Sequence, residues 1–320
     1  MCRGCRANFV LPGRGAAPHT PPINNSRLAN LPIGSLFPLW VFARRPSVLQ
    51  LRAMDADIRL IVTDMDGTLL DGRRHLPAGF PDAVRTLAAR GIRWAIASGR
   101  QLANLQARFA PLGVDVDIIA ENGALAWAAG EARPFFEDLS PADFFEPVLR
   151  EALATPGASP VLCGADAALV HDRYPEDLAE ITQYFAVHAP WHDLADLAGL
   201  RVCKVALYHP QAAQALHPRL APLATAERRV ILSGPEWVDV QHARIDKANA
   251  LAALLLRLGL RPDQAIVFGD YLNDAGMLAL TPHSVAMANA LPELRARAAA
   301  IAPPNTQDGV LAHLRALGLL

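Results

Sequence analysis

The fold of this chain is decided by the stretch LIVTDMDGT at residues 60–68. Its first four residues are apolar or β-branched, as is typical of a buried parallel strand. Asp64 and Asp66 follow, and because side chains two residues apart on a strand share a face, their carboxylates would repel each other. Gly67 allows a sharp turn and a close backbone approach to a ligand, and Thr68 adds a hydroxyl. The pattern favours a divalent metal site at a strand end, with an ordinary Asp-Gly turn as the alternative.

Two further segments repeat the pattern of an apolar strand that ends in polar residues. Residues 92–97, IRWAIA, lead into SGR at 98–100, and residues 265–268, AIVF, lead into GD at 269–270. Such strands, when helices follow them, describe an open parallel sheet, which binds ligands at the carboxyl ends of its strands. We therefore expect four polar side chains to meet in one crevice: Asp64, Asp66, Ser98 and Asp270.

Lysine is rare in this chain, because 28 of its 30 basic residues are arginines and only Lys204 and Lys247 are lysines. Arginine serves at most surface positions, so a rare lysine suggests a need for a compact ammonium charge. Lys247 opens a strongly helical run from Ala248 to Leu258, which favours a catalytic role for it. Lys204 lies in an alternating stretch that is typical of a half-buried strand, where it would meet substrate or solvent.

Taken together, these segments resemble the haloacid dehalogenase-like superfamily of phosphotransferases. Residues 64–68 match its first motif, residues 98–100 its second, Lys247 its third and residues 269–274 its fourth. The dehalogenase branch lacks the second aspartate, so the presence of Asp66 argues against halide chemistry. Four motifs in the right order are far more specific than any one of them alone.

The resemblance extends to one subgroup, the Cof-type phosphatases, which carry a type IIB cap. It rests on ENGA at residues 121–124 and on the two tail segments at residues 285–290 and 305–310. The resemblance implies an α/β fold, in which a doubly wound Rossmann-like core with a parallel sheet carries an inserted α+β cap domain. It is weak between about residues 137 and 240, where short alternating stretches at residues 201–208 and 237–240 mix with predicted helices at residues 175–187 and 211–223.

The resemblance also implies a role for each residue of the motifs. Asp64 would be the nucleophile, Asp66 the general acid and base, and Lys247 the catalytic cation. Arg100 would lie near the phosphate, or would equally well face solvent or substrate. The cofactor would be Mg²⁺. Its expected protein ligands are Asp64, Asp66 through its backbone carbonyl, Asp270 and Asp274. The expected phosphate-binding residues are Thr68, Ser98, Gly99, Lys247 and Asn273.

The predicted domains are an N-terminal extension at residues 1–53, a catalytic core at 54–136 and 241–320, and an α+β cap at 137–240. The extension holds no Asp or Glu but seven Arg and seven Pro. This composition fits an organelle transit peptide or a disordered tail. We favour a third interpretation, a true start at Met54. Four side chains of the cap could touch substrate: His171, Arg173, Arg201 and Lys204.

Composition limits the partners. A formal net charge of −1 gives no global field that favours nucleic acid, and no apolar run reaches the ~18 residues of a membrane span. The four cysteines form no disulfide framework for a chain of 320 residues, which suits a reducing cytoplasm. Cys2 and Cys5 have zinc-site spacing, but no second pair completes such a site.

The sequence therefore predicts a cytoplasmic, Mg²⁺-dependent phosphatase whose partner is a small phosphorylated substrate, a sugar phosphate or a phosphorylated cofactor. It would act through an aspartyl-phosphate intermediate. One alternative is a phosphosugar mutase of the same fold, which would return the phosphoryl group to sugar. The other is a non-catalytic ligand-binding protein, which the competent residues at every catalytic position disfavour.

Overall fold

The computed structural model describes residues 57–210, 213–233 and 235–320. The predictions for residues 1–53, including those for Cys2 and Cys5, lie outside this range. Two sheets organise the described part of the chain. One contains the apolar strands that end in polar residues, and the other contains the short alternating stretches.

The first sheet has a parallel centre. Eight strands of the described residues form it in the order β16-β15-β14-β1-β2-β3-β4-β5, and only β4 and β5 run antiparallel to their neighbours. The strands span Leu60–Asp64 (β1), Arg93–Ala97 (β2), Asp117–Ala120 (β3), Leu125–Trp127 (β4), Phe136–Glu137 (β5), Ala265–Gly269 (β14), His283–Met287 (β15) and Ala300–Ala302 (β16).

Strand β1 lies between β2 and β14, which is the reason the motifs meet. From β1 the chain builds β2 and β3 on one side, and later returns to place β14 on the other side. Because these strands are parallel, the residues that follow each of them emerge at the same edge. The crevice beside such a reversal of strand order is where open α/β sheets bind ligands.

The second sheet is mainly antiparallel and lies between the two halves of the first in sequence. Its order is β12-β13-β11-β7-β8-β9, and β8 and β9 form its one parallel pair. A short pair, β6 with β10, lies beside it. The strands span Ser140–Pro141 (β6), Ser159–Cys163 (β7), Ala168–His171 (β8), His188–Trp191 (β9), Arg201–Val202 (β10), Lys204–Tyr208 (β11), Arg228–Leu232 (β12) and Trp237–His242 (β13).

The described α-helices cover both sheets. They span Phe80–Ala89 (α1), Leu102–Phe109 (α2), Glu146–Ala154 (α3), Leu178–Ile181 (α4), Ala213–Leu220 (α5), Lys247–Leu258 (α6), Ala275–Ala279 (α7), Pro292–Arg297 (α8) and Gly309–Ala316 (α9). Helix α6 is the longest of them because its sequence is rich in Ala and Leu, the strongest helix formers. It begins at an Asp246 side-chain cap and ends at Gly259, whose φ of 67° suits the left-handed cap position.

The second sheet uses its two faces differently. Val205 and Leu207 of β11 point to the face that α3 and α5 cover. Ala206 and Tyr208 point to the opposite face, which shares one hydrophobic cluster with the first sheet. Since side chains alternate along a strand, Lys204 shares the face of Ala206 and Tyr208. This face therefore packs towards the first sheet.

The predicted fold class, a doubly wound parallel core with an inserted α+β unit, is confirmed. The core and cap boundaries stay a prediction, and β13 runs two residues past the predicted limit at residue 240. The helix predicted over residues 175–187 is mostly wrong, because only Leu178–Ile181 is α-helical. The chain turns after it and packs Tyr184 and Phe185 against Trp237, so tertiary contacts override the local pattern.

No helix within residues 57–210, 213–233 and 235–320 combines the length and apolar character that crossing a membrane requires.

Candidate active site

Asp64 occupies the last position of β1 and is buried. The strand LIVTD is buried along its whole length, because parallel strands on both sides and packed layers on both faces surround it. A carboxylate in such a position needs compensating charge or hydrogen bonds. The first compensation comes from Lys247.

Lys247 is the first residue of α6 and is only 1% exposed. Its Nζ donates to Asp64 Oδ1 at 2.6 Å and to Asp274 Oδ1 at 2.8 Å. A cation at a helix N-terminus opposes the helix dipole, so helix stability does not explain this lysine. The two carboxylates explain it instead. The catalytic role predicted for Lys247 stays a prediction, which this geometry supports.

The loop after β14 contributes Asp270 and Asp274. Asp274 is fully buried, and its Oδ2 accepts hydrogen bonds from the backbone N–H groups of Asp270 and Tyr271 at 3.0 and 3.1 Å. The hydroxyl of Thr68 donates to Asp270 Oδ1 at 2.7 Å. Gly67 has a φ of 87°, and a Cβ atom on it would lie 2.3 Å from Asp270 Oδ2. Glycine is therefore required where the first motif meets the fourth.

Burial and mutual repulsion disfavour the charged forms of these acidic groups. Burial raises the pKa of Asp64 well above its usual range, and Asp274 adds to this effect while Lys247 opposes it. Burial also raises the pKa of Asp270 to about 6, although the Thr68 hydrogen bond works against the shift. Burial lowers the pKa of Lys247, but Asp274 and Asp64 outweigh it and leave that pKa above its ordinary value. One lysine thus balances the negative charge only in part.

A divalent metal ion would fit this arrangement. Carboxylate oxygens of Asp64, Asp270 and Asp274 lie within 4.8 Å of one another. Hard cations such as Mg²⁺ take oxygen ligands of this kind. Asp274 already uses both oxygens for Lys247 and two backbone N–H groups, which suits a supporting position. The carboxylate of Asp66 lies outside this cluster, and the predicted ligand there, its backbone carbonyl, stays a prediction.

The second motif lies on the other side of Asp64. Ser98 is buried, and its Oγ accepts from the backbone N–H of Arg100 at 3.2 Å. The Arg100 guanidinium binds both oxygens of Asp66, with Nη2 to Oδ1 at 2.6 Å and Nε to Oδ2 at 3.0 Å. The Asp66 side chain is 48% exposed, so it faces the open part of the crevice. Arg100 thus binds the carboxylate that was predicted to act as acid and base, a pairing that the sequence did not suggest.

Asn273 lies on the exposed turn before Asp274. Its predicted part in phosphate binding stays a prediction.

Three of the four cap side chains that could touch substrate, all except Lys204, make contacts within the predicted cap. His171 packs edge-on against Trp191 with ring centroids 4.5 Å apart. Arg173 donates to Leu153 O at 2.6 Å and Arg201 to Leu139 O at 2.8 Å.

The position of Lys204 differs from the one that the sequence predicts. It was predicted to meet substrate or solvent, but it is 6% exposed and buried among acids. Its Nζ lies 2.9 Å from Asp239 Oδ2, 3.3 Å from Glu121 Oε2 and 2.9 Å from Gly99 O. Sequence reasoning assigned Glu121 no role beyond a family signature. The rarity of lysine and the ENGA stretch were the available signals, but neither shows that the two residues meet.

Gln101 is a second residue that sequence reasoning missed. Its side chain binds the backbone of Val187 through two hydrogen bonds, of 2.8 Å to the carbonyl and 3.3 Å from the N–H. Asn104 of the same helical segment donates to Gln183 O at 3.3 Å. The segment after the second motif is therefore tied to the chain that follows α4. A polar residue next to a motif carries no sequence signal for such a contact.

Comparison with known proteins gives consistent matches. A family model described as haloacid dehalogenase-like hydrolase matches residues 61–314, a span that includes every site residue described above. The chain is 29% identical over 262 residues to the 5-amino-6-(5-phospho-D-ribitylamino)uracil phosphatase YbjI of Escherichia coli, which covers 79% of this chain and 94% of that protein. It is 28% identical over 239 residues to the HMP-PP phosphatase of Cronobacter sakazakii, which covers 74% of this chain and 87% of that one.

Solved structures agree with these matches. A haloacid dehalogenase-like hydrolase from Bacteroides thetaiotaomicron aligns with a TM-score of 0.70 at 25% identity. The alignment covers 81% of this chain and 99% of that chain. A likeness of this extent includes both sheets.

Proposed function

This chain belongs to the haloacid dehalogenase-like hydrolases and is a phosphatase, and we propose that it hydrolyses small phosphorylated metabolites with the help of Mg²⁺. The observation that carries the proposal is the buried group of Asp64, Lys247 and Asp274 beside Asp270. A buried carboxylate, a fixed ammonium and a group of oxygen ligands at one sheet edge support the proposed nucleophile, charge-stabilising cation and metal site.

Asp64 is the proposed nucleophile. A carboxylate oxygen attacks phosphorus, the bond to the ester oxygen breaks, and an aspartyl-phosphate forms. Water then attacks the phosphorus, the bond to Asp64 breaks and inorganic phosphate leaves. Because Lys247 holds one Asp64 oxygen at 2.6 Å, it fixes the rotamer of the side chain during both steps. It also offers positive charge to the transferring group.

Asp66 is the proposed acid and base. In the first step its carboxyl group gives a proton to the departing ester oxygen, and in the second it takes a proton from the attacking water. Its side chain is half exposed, so it can reach a leaving group that lies between the two sheets. Arg100 binds both oxygens of the Asp66 carboxylate in this structure, so Asp66 has to leave this pair to carry the proton of the first step.

Mg²⁺, when bound, would neutralise charge on the phosphoryl oxygens and on the clustered carboxylates. Asp64, Asp270 and the Asp66 carbonyl would hold it, with Asp274 in support. Ser98, Thr68 and the backbone N–H groups near Gly99 would bind phosphoryl oxygens. Ser98 is suited to this because its side chain is buried next to the nucleophile strand.

The proposed substrate class comes from the relatives. Those described above are named for a phosphoribitylamino-uracil and for HMP-PP, and another, from Methanopyrus kandleri, is named a phosphoglycolate phosphatase. These are small phosphorylated metabolites, which agrees with a sugar phosphate or a phosphorylated cofactor. We also propose a cytoplasmic location, since the described cysteines, Cys163 and Cys203, are free thiols.

The test is hydrolysis of p-nitrophenyl phosphate and of a panel of phosphorylated metabolites by the purified chain with Mg²⁺. Asp64→Asn should abolish turnover while circular dichroism and the melting temperature stay close to those of the wild type. Chelation should remove the wild-type activity, and added Mg²⁺ should restore it. Turnover by Asp64→Asn within about tenfold of the wild type would contradict the proposal, because covalent catalysis requires the carboxylate.

A further inference from the structure

A buried cluster of charges lies between the two sheets and has no part in the chemistry described so far. Lys204, on β11 of the second sheet, has three N–H donors and three close acceptors. One is Asp239, a neighbour within the same sheet, at 2.9 Å. The other two belong to the first half of the chain: Glu121 at 3.3 Å and the carbonyl oxygen of Gly99 at 2.9 Å. Lys204 therefore joins the second sheet to the second catalytic motif.

The turn that contains Glu121 is bonded to the same motif. The backbone N–H of Glu121 donates to Arg100 O at 3.1 Å, and that of Asn122 donates to Ser98 O at 3.0 Å. The Asn122 side chain also donates to Gln241 of β13 at 3.2 Å. Residues 98–100 are therefore held by the turn on one side and by Lys204 on the other.

Backbone strain marks this turn as a constrained feature. Glu121 has a φ of 50° and Asn122 a φ of 57°, both in the left-handed region, which Glu adopts rarely and Asn more readily. Strain of this kind persists only where surrounding contacts fix it, and it concentrates at functional sites. A Cβ atom on Gly99 would lie 2.8 Å from Asn122 Oδ1, so the turn and the motif are in direct contact.

The buried carboxylate of Glu121 depends on the positive charge of Lys204. Both carboxylate oxygens of Glu121 are buried and accept no well-aligned hydrogen bond from the described residues, so the ion pair with Lys204 at 3.3 Å is what compensates their charge. Burial lowers the pKa of Lys204, but Asp239 and Glu121 outweigh it and hold that pKa well above its ordinary value. Lys204 is therefore a fixed ammonium, and moving it away would leave Glu121 buried without a counter-charge.

We propose that Lys204 is a positioning residue. From its place on the second sheet it holds the carbonyl oxygen of Gly99, and so it fixes the backbone of residues 98–100, which binds the phosphoryl oxygens. The inference rests on the proposed function, because it takes residues 98–100 as part of the phosphate site. Lys204 holds the carbonyl oxygen of Gly99, while the turn holds the carbonyl oxygens of Ser98 and Arg100. The second sheet thereby acts on the chemistry itself as well as on access to it.

The experiment compares two variants of the full chain. Asp239→Asn keeps Lys204 and its bond to Gly99. Asp239→Asn combined with Lys204→Met removes one positive and one negative charge together, which keeps the net charge of the cluster and breaks the contacts of Lys204 with Gly99 and Glu121. The first readout is backbone hydrogen exchange of the segment from Ser98 to Gln101, which does not depend on activity. We expect faster exchange in the double variant than in Asp239→Asn.

The second readout is kinetics on p-nitrophenyl phosphate and one alkyl phosphate. We expect kcat of the double variant to fall about tenfold or more for both esters, by the same factor and with little change in KM, since small misplacements of a catalytic group have large effects. If the double variant does not fold, Lys204→Gln replaces it, because its amide nitrogen is one bond nearer the backbone and falls short of Gly99.

Three results would overturn the inference. One is unchanged exchange with unchanged kcat, and another is a lower melting temperature with unchanged kcat, which marks a structural role only. The third is a change in KM for one ester alone, which marks a substrate contact. A wild-type chain that hydrolyses no phosphoester would contradict the proposed function instead, and hydrogen exchange would still decide the position of Lys204.

Discussion

The ammonium of Lys247 lies 2.6 Å from Asp64 Oδ1, although 183 positions separate the two residues in the sequence. One is the last residue of a parallel strand and the other the first residue of a helix. Both are buried, so little solvent screens the attraction between them. Lys247 lowers the pKa of the Asp64 carboxyl, although burial and Asp274 together still hold that pKa well above its usual range.

We predict that Lys247→Met lowers kcat for every phosphoester by a factor of about 10² to 10³, the usual cost of removing one charge-stabilising donor. The effect should be uniform because the lysine acts on the transferring group, which all substrates share. Steady-state kinetics on several esters check this. Arg257→Met, an exposed cation on the same helix, is the matched control and should leave kcat unchanged. An effect restricted to some substrates would remove Lys247 from the chemical step.

Asp66→Asn should harm substrates with poor leaving groups most, since these need a proton from the enzyme. An alkyl phosphate needs that proton, whereas p-nitrophenolate leaves readily without it. The measurement is the ratio of kcat for an alkyl phosphate to kcat for p-nitrophenyl phosphate. We expect the ratio to fall by about 10² or more, within the usual range of general acid catalysis. A ratio equal to that of the wild type would exclude Asp66 as the proton donor.

The metal-free protein should lose stability as pH rises. Burial raises the pKa of Asp270 to about 6, whereas the unfolded value is 3.8. The folded state thus holds its proton more tightly between these values, and the free energy of unfolding decreases through this window. The penalty is complete above about pH 6, and bound Mg²⁺ should remove it.

Melting temperatures measured with and without Mg²⁺ check this prediction. The stabilisation by Mg²⁺ should be clearly larger at about pH 7.5 than at about pH 5. Asp270→Asn is the control, because it removes one of the titrating groups and should reduce the pH dependence of the metal-free protein. Equal stabilisation by Mg²⁺ at both pH values would show that Asp270 does not bind the metal.

Gly67→Ala should abolish activity and destabilise the fold, because the new Cβ would lie 2.3 Å from Asp270 Oδ2. Gly130→Ala is a matched control, since Gly130 has a nearly equal φ, 84° against 87°, but nothing within 4 Å. The free energy of unfolding of the control should fall by only about 1–2 kcal/mol, which is the conformational cost of an alanine in the left-handed region. Chemical denaturation and kinetics measure both. Equal effects of the two substitutions would show that contact with Asp270 is unimportant.

The local pattern of the sequence was enough to place the core strands and the main helix of the site. The strand predicted at residues 60–63 is Leu60–Asp64, and the helix predicted from Ala248 to Leu258 begins one residue earlier. Apolar runs that end in polar residues are short-range features, and parallel sheets collect such ends at one edge. The convergence of Asp64 with Asp270 therefore follows from motif order.

The contacts between the two sheets were decided by the tertiary structure alone. Lys204 and Gly99 are 105 positions apart, and no periodicity links an alternating strand to one carbonyl oxygen in another part of the chain. The pairing of Arg100 with Asp66 likewise depends on the angle at which a loop leaves its strand. Sequence patterns record which face of an element is buried, but not which atom of a distant element it meets, because that is fixed by the packing of both sheets together.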